Sequence, residues 1–198
     1  MIDFARWDRA ALAIAWREAR PFPLIVIDDL IAPEELERLR AAIALEPHLP
    51  DRDELHDFLV SRHTLEQPEL RALEAALGSE AALSTIGAIT GKTLTRVELR
   101  SYVYLAQSYL LPHSDHRAGV GRQVAFAYYL TPDGGCVGGE LELFACALED
   151  GEIVGTQPER TIEQRANRLV LFDVSATSLH QVREVLAGAR VSLAGWLS

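Results

Sequence analysis

The sequence predicts an α+β protein, a helical first half followed by an antiparallel sandwich or barrel of the double-sheet jelly-roll kind. Two observations carry this. Apolar residues recur at helical spacing, punctuated by proline and glycine, only before about residue 91, whereas seven or eight short β-prone segments follow it. No internal repeat, low-complexity tract or long linker divides the 198 residues, which read as a single domain with 1–91 as helical support and 92–198 as the jelly-roll core.

Taken in order, residues 3–20 carry Phe4, Trp7, Ala11, Ile14 and Trp16 among charged residues, the spacing of an amphipathic helix that Pro21 and Pro23 end. Residues 24–28 (LIVID) are a short apolar run between breakers and predict a buried strand. Pro33 suits the first turn of a helix, with Glu34 and Glu35 near the positive end of its dipole and Leu36, Leu39, Ala42 and Ile43 as the inward face. Residues 48–66 hold His48, His56 and His63 among acids. Their spacing matches no common ligand pattern, so a solvated loop or short strand is expected, placed to cover a pocket. Residues 68–77 and 80–90 predict two helices stopped by Gly78 and Gly91, the second capped by Ser79. Strands are expected at 93–104, 109–115, 124–130, 139–144, 161–165, 168–173, 178–182 and 190–197.

Composition excludes several function classes. The formal net charge of −10 argues against nucleic-acid and anionic-membrane partners. Cys136 and Cys146 form no Cys-x-x-Cys, which argues against a thiolate zinc site or disulfide framework and suits a reducing cytoplasm. No signal peptide or membrane-spanning run is read.

The chemistry starts at residues 109–115 (YLLPHSD). In an extended chain, residues i and i+2 face the same way, so His113 and Asp115 converge while Ser114 faces the opposite side. An imidazole and a carboxylate on one face are two of the three ligands of a non-haem Fe(II) facial triad. His180, in the strand-like segment 177–182 (TSLHQV), is the candidate third ligand; His116 lies too close and points away from Asp115. Three protein ligands on one octahedral face leave three cis positions open for a co-substrate and O₂. Arg190, ten residues beyond His180 in an otherwise apolar strand, needs an anionic partner, and its fork suits a carboxylate. Ser192 faces the same side as Arg190.

Together with 127–130 (AYYL), 138–144 (GGELELF) and 167–172 (NRLVLF), these motifs resemble the Fe(II)/2-oxoglutarate-dependent oxygenases, in their prolyl-4-hydroxylase-like branch. The resemblance covers roughly residues 90–198, with residues 22–39 similar to the branch's first strand and helix. It implies a double-stranded β-helix (jelly-roll, cupin-like) with N-terminal helices packed on one sheet. It implies His113, Asp115 and His180 as iron ligands, Arg190 as the partner of the 2-oxoglutarate C5-carboxylate, and Tyr104 and Tyr129 as residues near the co-substrate. The cofactors implied are Fe(II), 2-oxoglutarate and O₂, with ascorbate as a reductant. Asp115 is intact, and halogenating relatives lack this carboxylate, so hydroxylation of a C–H bond is the expected outcome, with 2-oxoglutarate leaving as succinate and CO₂.

His116, Arg117 and Arg122 lie just past the metal motif and are candidate substrate contacts at the mouth. The expected substrate is an amino acid or small metabolite, the alternative a peptidyl-prolyl residue of a protein. A reading from another class, a non-oxidative cupin-like binding module, is opposed by the triad and Arg190 together. A monomer or homodimer is expected.

Overall fold

The computed structural model describes residues 2–198. The N-terminal segment splits where one helix was expected. A 3₁₀ turn (Phe4–Arg6) is followed by α1 (Arg9–Glu18), because the Asp8 carboxylate accepts from the Ala11 amide and starts a new helix there. Next come β1 (Leu24–Ile27), α2 (Pro33–Leu45), β2 (His48–Arg52), β3 (His56–Ser61), α3 (Pro68–Leu77) and α4 (Glu80–Thr90). The remainder is β4 (Val97–Leu105), β5 (Tyr109–His113), β6 (Val124–Tyr129), β7 (Cys136–Gly138), β8 (Leu141–Glu149), β9 (Glu152–Ile162), β10 (Leu169–Asp173), β11 (His180–Val182) and β12 (Val185–Leu197).

The strands hydrogen-bond in the order β1-β10-β6-β12-β4-β3-β5-β11-β8-β9, with β2 on β3 and β7 on β12. This ladder folds over on itself. Leu24, Ala125, Ala127, Tyr129, Val170 and Phe172 from one end share a buried cluster with Leu141, Leu143 and Ile162 from the other. Strand β6 shows how the layers are built. It is buried along its whole length: Val124, Phe126 and Tyr128 pack with the helices, while Ala125, Ala127 and Tyr129 face the interior of the roll. The helical layer (Trp16, Leu36, Leu39, Leu70, Leu73, Ile86 and Ile89 among others) therefore lies on one sheet. Fold and layering are those expected of the double-stranded β-helix.

The 48–66 segment takes the strand form of its two expected forms. It is a β2–β3 hairpin that turns the corner of the roll: Leu59 and Val60 pair with Val103 and Tyr102 of β4, while His56 and Asp57 pair with Leu110 and Tyr109 of β5. The first 91 residues thus contribute three strands as well as helices. The strand expected at 161–165 is corrected: β9 begins at Glu152 and stops at Ile162. Its residues are almost all exposed, so no apolar alternation marks it, and backbone pairing with β8 holds it at the sheet edge.

Candidate active site

His113 and His180 sit opposite one another in the β5–β11 ladder, where β5 carries one extra residue between Leu110 and His113. The resulting bulge turns His113 to the interior although Leu110 also points inward, into the cluster of Phe58, Val60, Tyr104, Val182 and Val185. The two imidazole centroids are 4.3 Å apart. Asp115, two residues past His113, places Oδ1 3.9 Å from His113 Nε2 and Oδ2 3.5 Å from His180 Nε2. One ligand atom from each of the three lies within 4.8 Å of the others, and among the described residues no other group of His, Cys, Asp and Glu has this arrangement.

The protonation pattern fits a metal. His113 Nδ1 donates to the Leu111 carbonyl at 2.9 Å and His180 Nδ1 to the Ser178 carbonyl at 3.1 Å. A carbonyl only accepts, so each ring carries its proton on Nδ1 and turns a lone pair on Nε2 toward Asp115. His180 is 5% exposed and packs edge-on against Phe172 from the opposite layer. Burial, and next the neighbouring His113, lower its pKa to about 4 against the pull of Asp115, so the ring is neutral near pH 7, as a metal ligand must be.

A second set of groups lies deeper. Arg190, 3% exposed on β12, pairs with Tyr104 across the β4 ladder and lies over the rings of Tyr104 at 4.8 Å and Tyr129 at 5.1 Å. Its Nη1 donates to Ser192 Oγ at 3.1 Å. Arg190 Nε and Tyr129 Oη are buried without a hydrogen-bond partner, and Arg190 forms no ion pair among the described residues. Asp173, a structural partner it might have had, is taken by Lys92 at 2.6 Å. A buried cation beside an unsatisfied phenol is a cradle for an anion, and the dicarboxylate expected from the sequence fits it. Burial holds the Tyr104 phenol well above its ordinary pKa, and therefore protonated.

Gly138 ends β7 and Gly139 follows it. Both have positive φ, at 78° and 73°. A Cβ on Gly138 would meet the Glu184 carbonyl oxygen at 2.2 Å, and one on Gly139 would meet Arg190 Cδ at 3.1 Å.

The remaining candidates divide. Arg122 lies 3.4 Å over the Trp196 ring and 3.8 Å from Glu98. The inner face of β12 runs Arg190, Ser192, Ala194, Trp196, which puts this pair on the same wall as the anion cradle. Arg122 Nε and Trp196 Nε1 are buried and unpartnered. Trp196 is not among the residues the sequence singles out, because a tryptophan in an apolar strand carries the same local pattern as any core aromatic. His116 and Arg117 are exposed on the loop beyond Asp115. The His116 amide bonds Ser114 Oγ, and neither side chain is brought to the site. The three earlier histidines have structural settings or none: His48 Nε2 meets Ser101 Oγ at 2.7 Å, His56 sits between Asp51 and Asp53 at 3.0 and 2.9 Å, and His63 is exposed.

The sequence model of the 2OG-Fe(II) oxygenase superfamily matches residues 99–198. The chain belongs to this superfamily. The triad could hold its Fe(II), and the Arg190 cradle its 2-oxoglutarate. Prolyl 3-hydroxylase OGFOD1 of Xenopus laevis is 31% identical over 188 residues, which are 89% of this chain and 35% of that protein. The chain therefore spans about a third of that curated relative. A 2OG-Fe(II) oxygenase family oxidoreductase from Burkholderia pseudomallei superposes with TM-score 0.73 at 19% identity, covering 98% of this chain and 92% of that one. A Pseudomonas putida prolyl-4-hydroxylase superposes with TM-score 0.71 at 22% identity, covering 94% and 97%. At these identities the two structures show the fold.

Proposed function

We propose that this oxygenase hydroxylates a prolyl residue in a peptide or protein. The observation that carries the reading is the Arg122–Trp196 pair, on the β12 wall that also carries Arg190 and Ser192. It holds two buried, unpartnered N–H donors, Arg122 Nε and Trp196 Nε1, which a peptide carbonyl would satisfy. A free amino acid would also bring an ammonium group. Glu98, the carboxylate 3.8 Å from Arg122, is already engaged by Arg96 at 2.8 Å. The relationship to a prolyl 3-hydroxylase supports the same choice, so the peptidyl alternative is preferred here over the small-metabolite substrate expected first.

In this reading His113, Asp115 and His180 hold the iron through Nε2, a carboxylate oxygen and Nε2. Arg190 and Tyr129 take the distal carboxylate of 2-oxoglutarate, with Ser192 orienting the guanidinium and Tyr104 walling the cradle. The bound iron, with 2-oxoglutarate and O₂, supplies the oxidising power that turns a C–H into a C–OH while 2-oxoglutarate leaves as succinate and CO₂. The chain's own part is to fix the ligands, keep the inner end dry and hold one prolyl C–H over the metal. Cys136 and Cys146 are unpaired and fit a reducing compartment, and we place the protein in the cytoplasm.

Succinate release and +16 Da products are to be measured across proline peptides, free proline and other amino acids. The expected result is substrate-dependent succinate with hydroxylated peptide, lost in Trp196→Ala. Coupled hydroxylation of a free amino acid and of no peptide would overturn the peptidyl assignment.

A further inference from the structure

The residue between the two ligands of the His-x-Asp motif has its own bonds. Strand β5 ends at His113, so Asp115 lies beyond the ladder and no strand pairing fixes its backbone. The Ser114 side chain points away from the triad. Its Oγ donates to the Ser175 carbonyl at 2.6 Å and accepts the His116 amide at 3.0 Å. The second bond closes a tight turn around Asp115.

The first bond reaches the turn that precedes His180. Ser178 Oγ donates to the same Ser175 carbonyl at 2.9 Å and accepts the Ser175 amide at 2.9 Å. The Ser178 carbonyl in turn accepts from His180 Nδ1. The turn is anchored further by Cys146 Sγ on the Thr177 carbonyl at 3.3 Å and by the Phe144 amide on the Leu179 carbonyl at 3.0 Å. One short chain of bonds, Asp115 segment to Ser114 to Ser175 to Ser178 to His180, joins the two arms that deliver the ligands.

We propose that Ser114 is a positioning residue for the metal centre, its hydroxyl fixing the Asp115 carboxylate relative to the two imidazoles by clasping the 113–116 segment to the 175–178 turn. The inference rests on the metal-centre reading of the triad. It predicts a specific dependence on the hydroxyl. Threonine at 114 keeps an oxygen on Cβ, and valine has the same shape without one. Groups that orient metal ligands from behind typically change metal affinity by roughly 10- to 100-fold.

The test is anaerobic Co(II) titration of the full chain, followed by visible d–d absorption, on wild type, Ser114→Thr, Ser114→Val and His180→Ala. Wild-type binding that is lost in His180→Ala establishes the centre independently of the clasp; absence of wild-type binding would overturn the centre itself. With the centre present, Ser114→Thr is expected to bind within about twofold of wild type with the same spectrum. Ser114→Val is expected to bind roughly tenfold or more weakly with an altered d–d band. Circular dichroism and the metal-free Tm check that both variants fold, and if the valine variant does not, Ser114→Ala takes its place. Wild-type affinity and spectrum without the hydroxyl, or equal loss in the threonine variant, would overturn the proposal.

Discussion

Arg190 holds a buried guanidinium beside a buried phenol, and each leaves one polar atom unsatisfied. Charge-assisted bonds to a carboxylate are about twice as strong as neutral ones. Arg190→Ala is therefore expected to raise the KM for 2-oxoglutarate by roughly 100-fold, and Tyr129→Phe by roughly tenfold, with the KM for the proposed peptide substrate little changed. Steady-state kinetics with each substrate varied separately checks this. Gly139→Ala should produce a milder form of the same defect, since its methyl would press on Arg190 Cδ from a backbone angle that L-residues rarely adopt. The His-x-Asp pair was legible because the two ligand types lie two residues apart at the end of a β-prone run, although Asp115 itself falls just past β5. The engagement of Arg122 with Trp196 was not, because it joins residues 74 apart in the chain (196 − 122) through a fold that no local pattern encodes.

At the scale of elements, Asn167 ties the entry of β10 to the loop that leads into α2. It sits at φ 62°, buried, a conformation Asn tolerates better than most residues. Its Oδ1 accepts from the Ile31 amide and from Tyr128 Oη, and its Nδ2 donates to the Ile31 carbonyl. Asn167→Ala would strand all three partners in the interior. A loss of about 2–4 kcal/mol in urea denaturation is expected, without a change in the order of metal affinities among site variants. The helices and the buried strands were legible, because burial on one or both faces leaves periodic apolar residues. β9 and the β2–β3 hairpin were hard for the opposite reason. The side chains of β2 and β9 are largely polar and held by backbone pairing, and β3 buries only Phe58, Val60 and Ser61 of its six residues, too short a run to stand out among the acids around it.

For the whole molecule, the ion pair of Asp28 with Arg168 joins the end of the first strand to the start of β10, with Arg168 Nε 2.7 Å from Oδ1. The hydrogen bond from Arg168 is the largest cause holding the Asp28 carboxyl below its ordinary pKa of 3.8, against some opposing desolvation. A lowered folded pKa means the contribution is complete above 3.8 and fades as pH falls through the folded value. Asp28→Asn should therefore cost stability at pH 7, about 0.5–1 kcal/mol after screening by solvent, and the gap to wild type should close below pH 3.8. Thermal melts from pH 7 to pH 3 would show it; a gap that persists in acid would refute it.

The amino-acid order by itself determined the class of fold, the candidate ligands and the buried cation, because each follows from local rules: period 2 for strands, period 3.6 for helices, and the cost of a charge in an apolar strand. Only the tertiary structure decided how they meet. The β3 corner joins β4 to β5, Phe172 meets His180 across the two layers, and a one-residue bulge turns His113 inward. The Ser175 carbonyl reaches back to the residue between the ligands. Such contacts depend on register and layer closure, which are properties of the packed whole and leave no periodic trace in the chain.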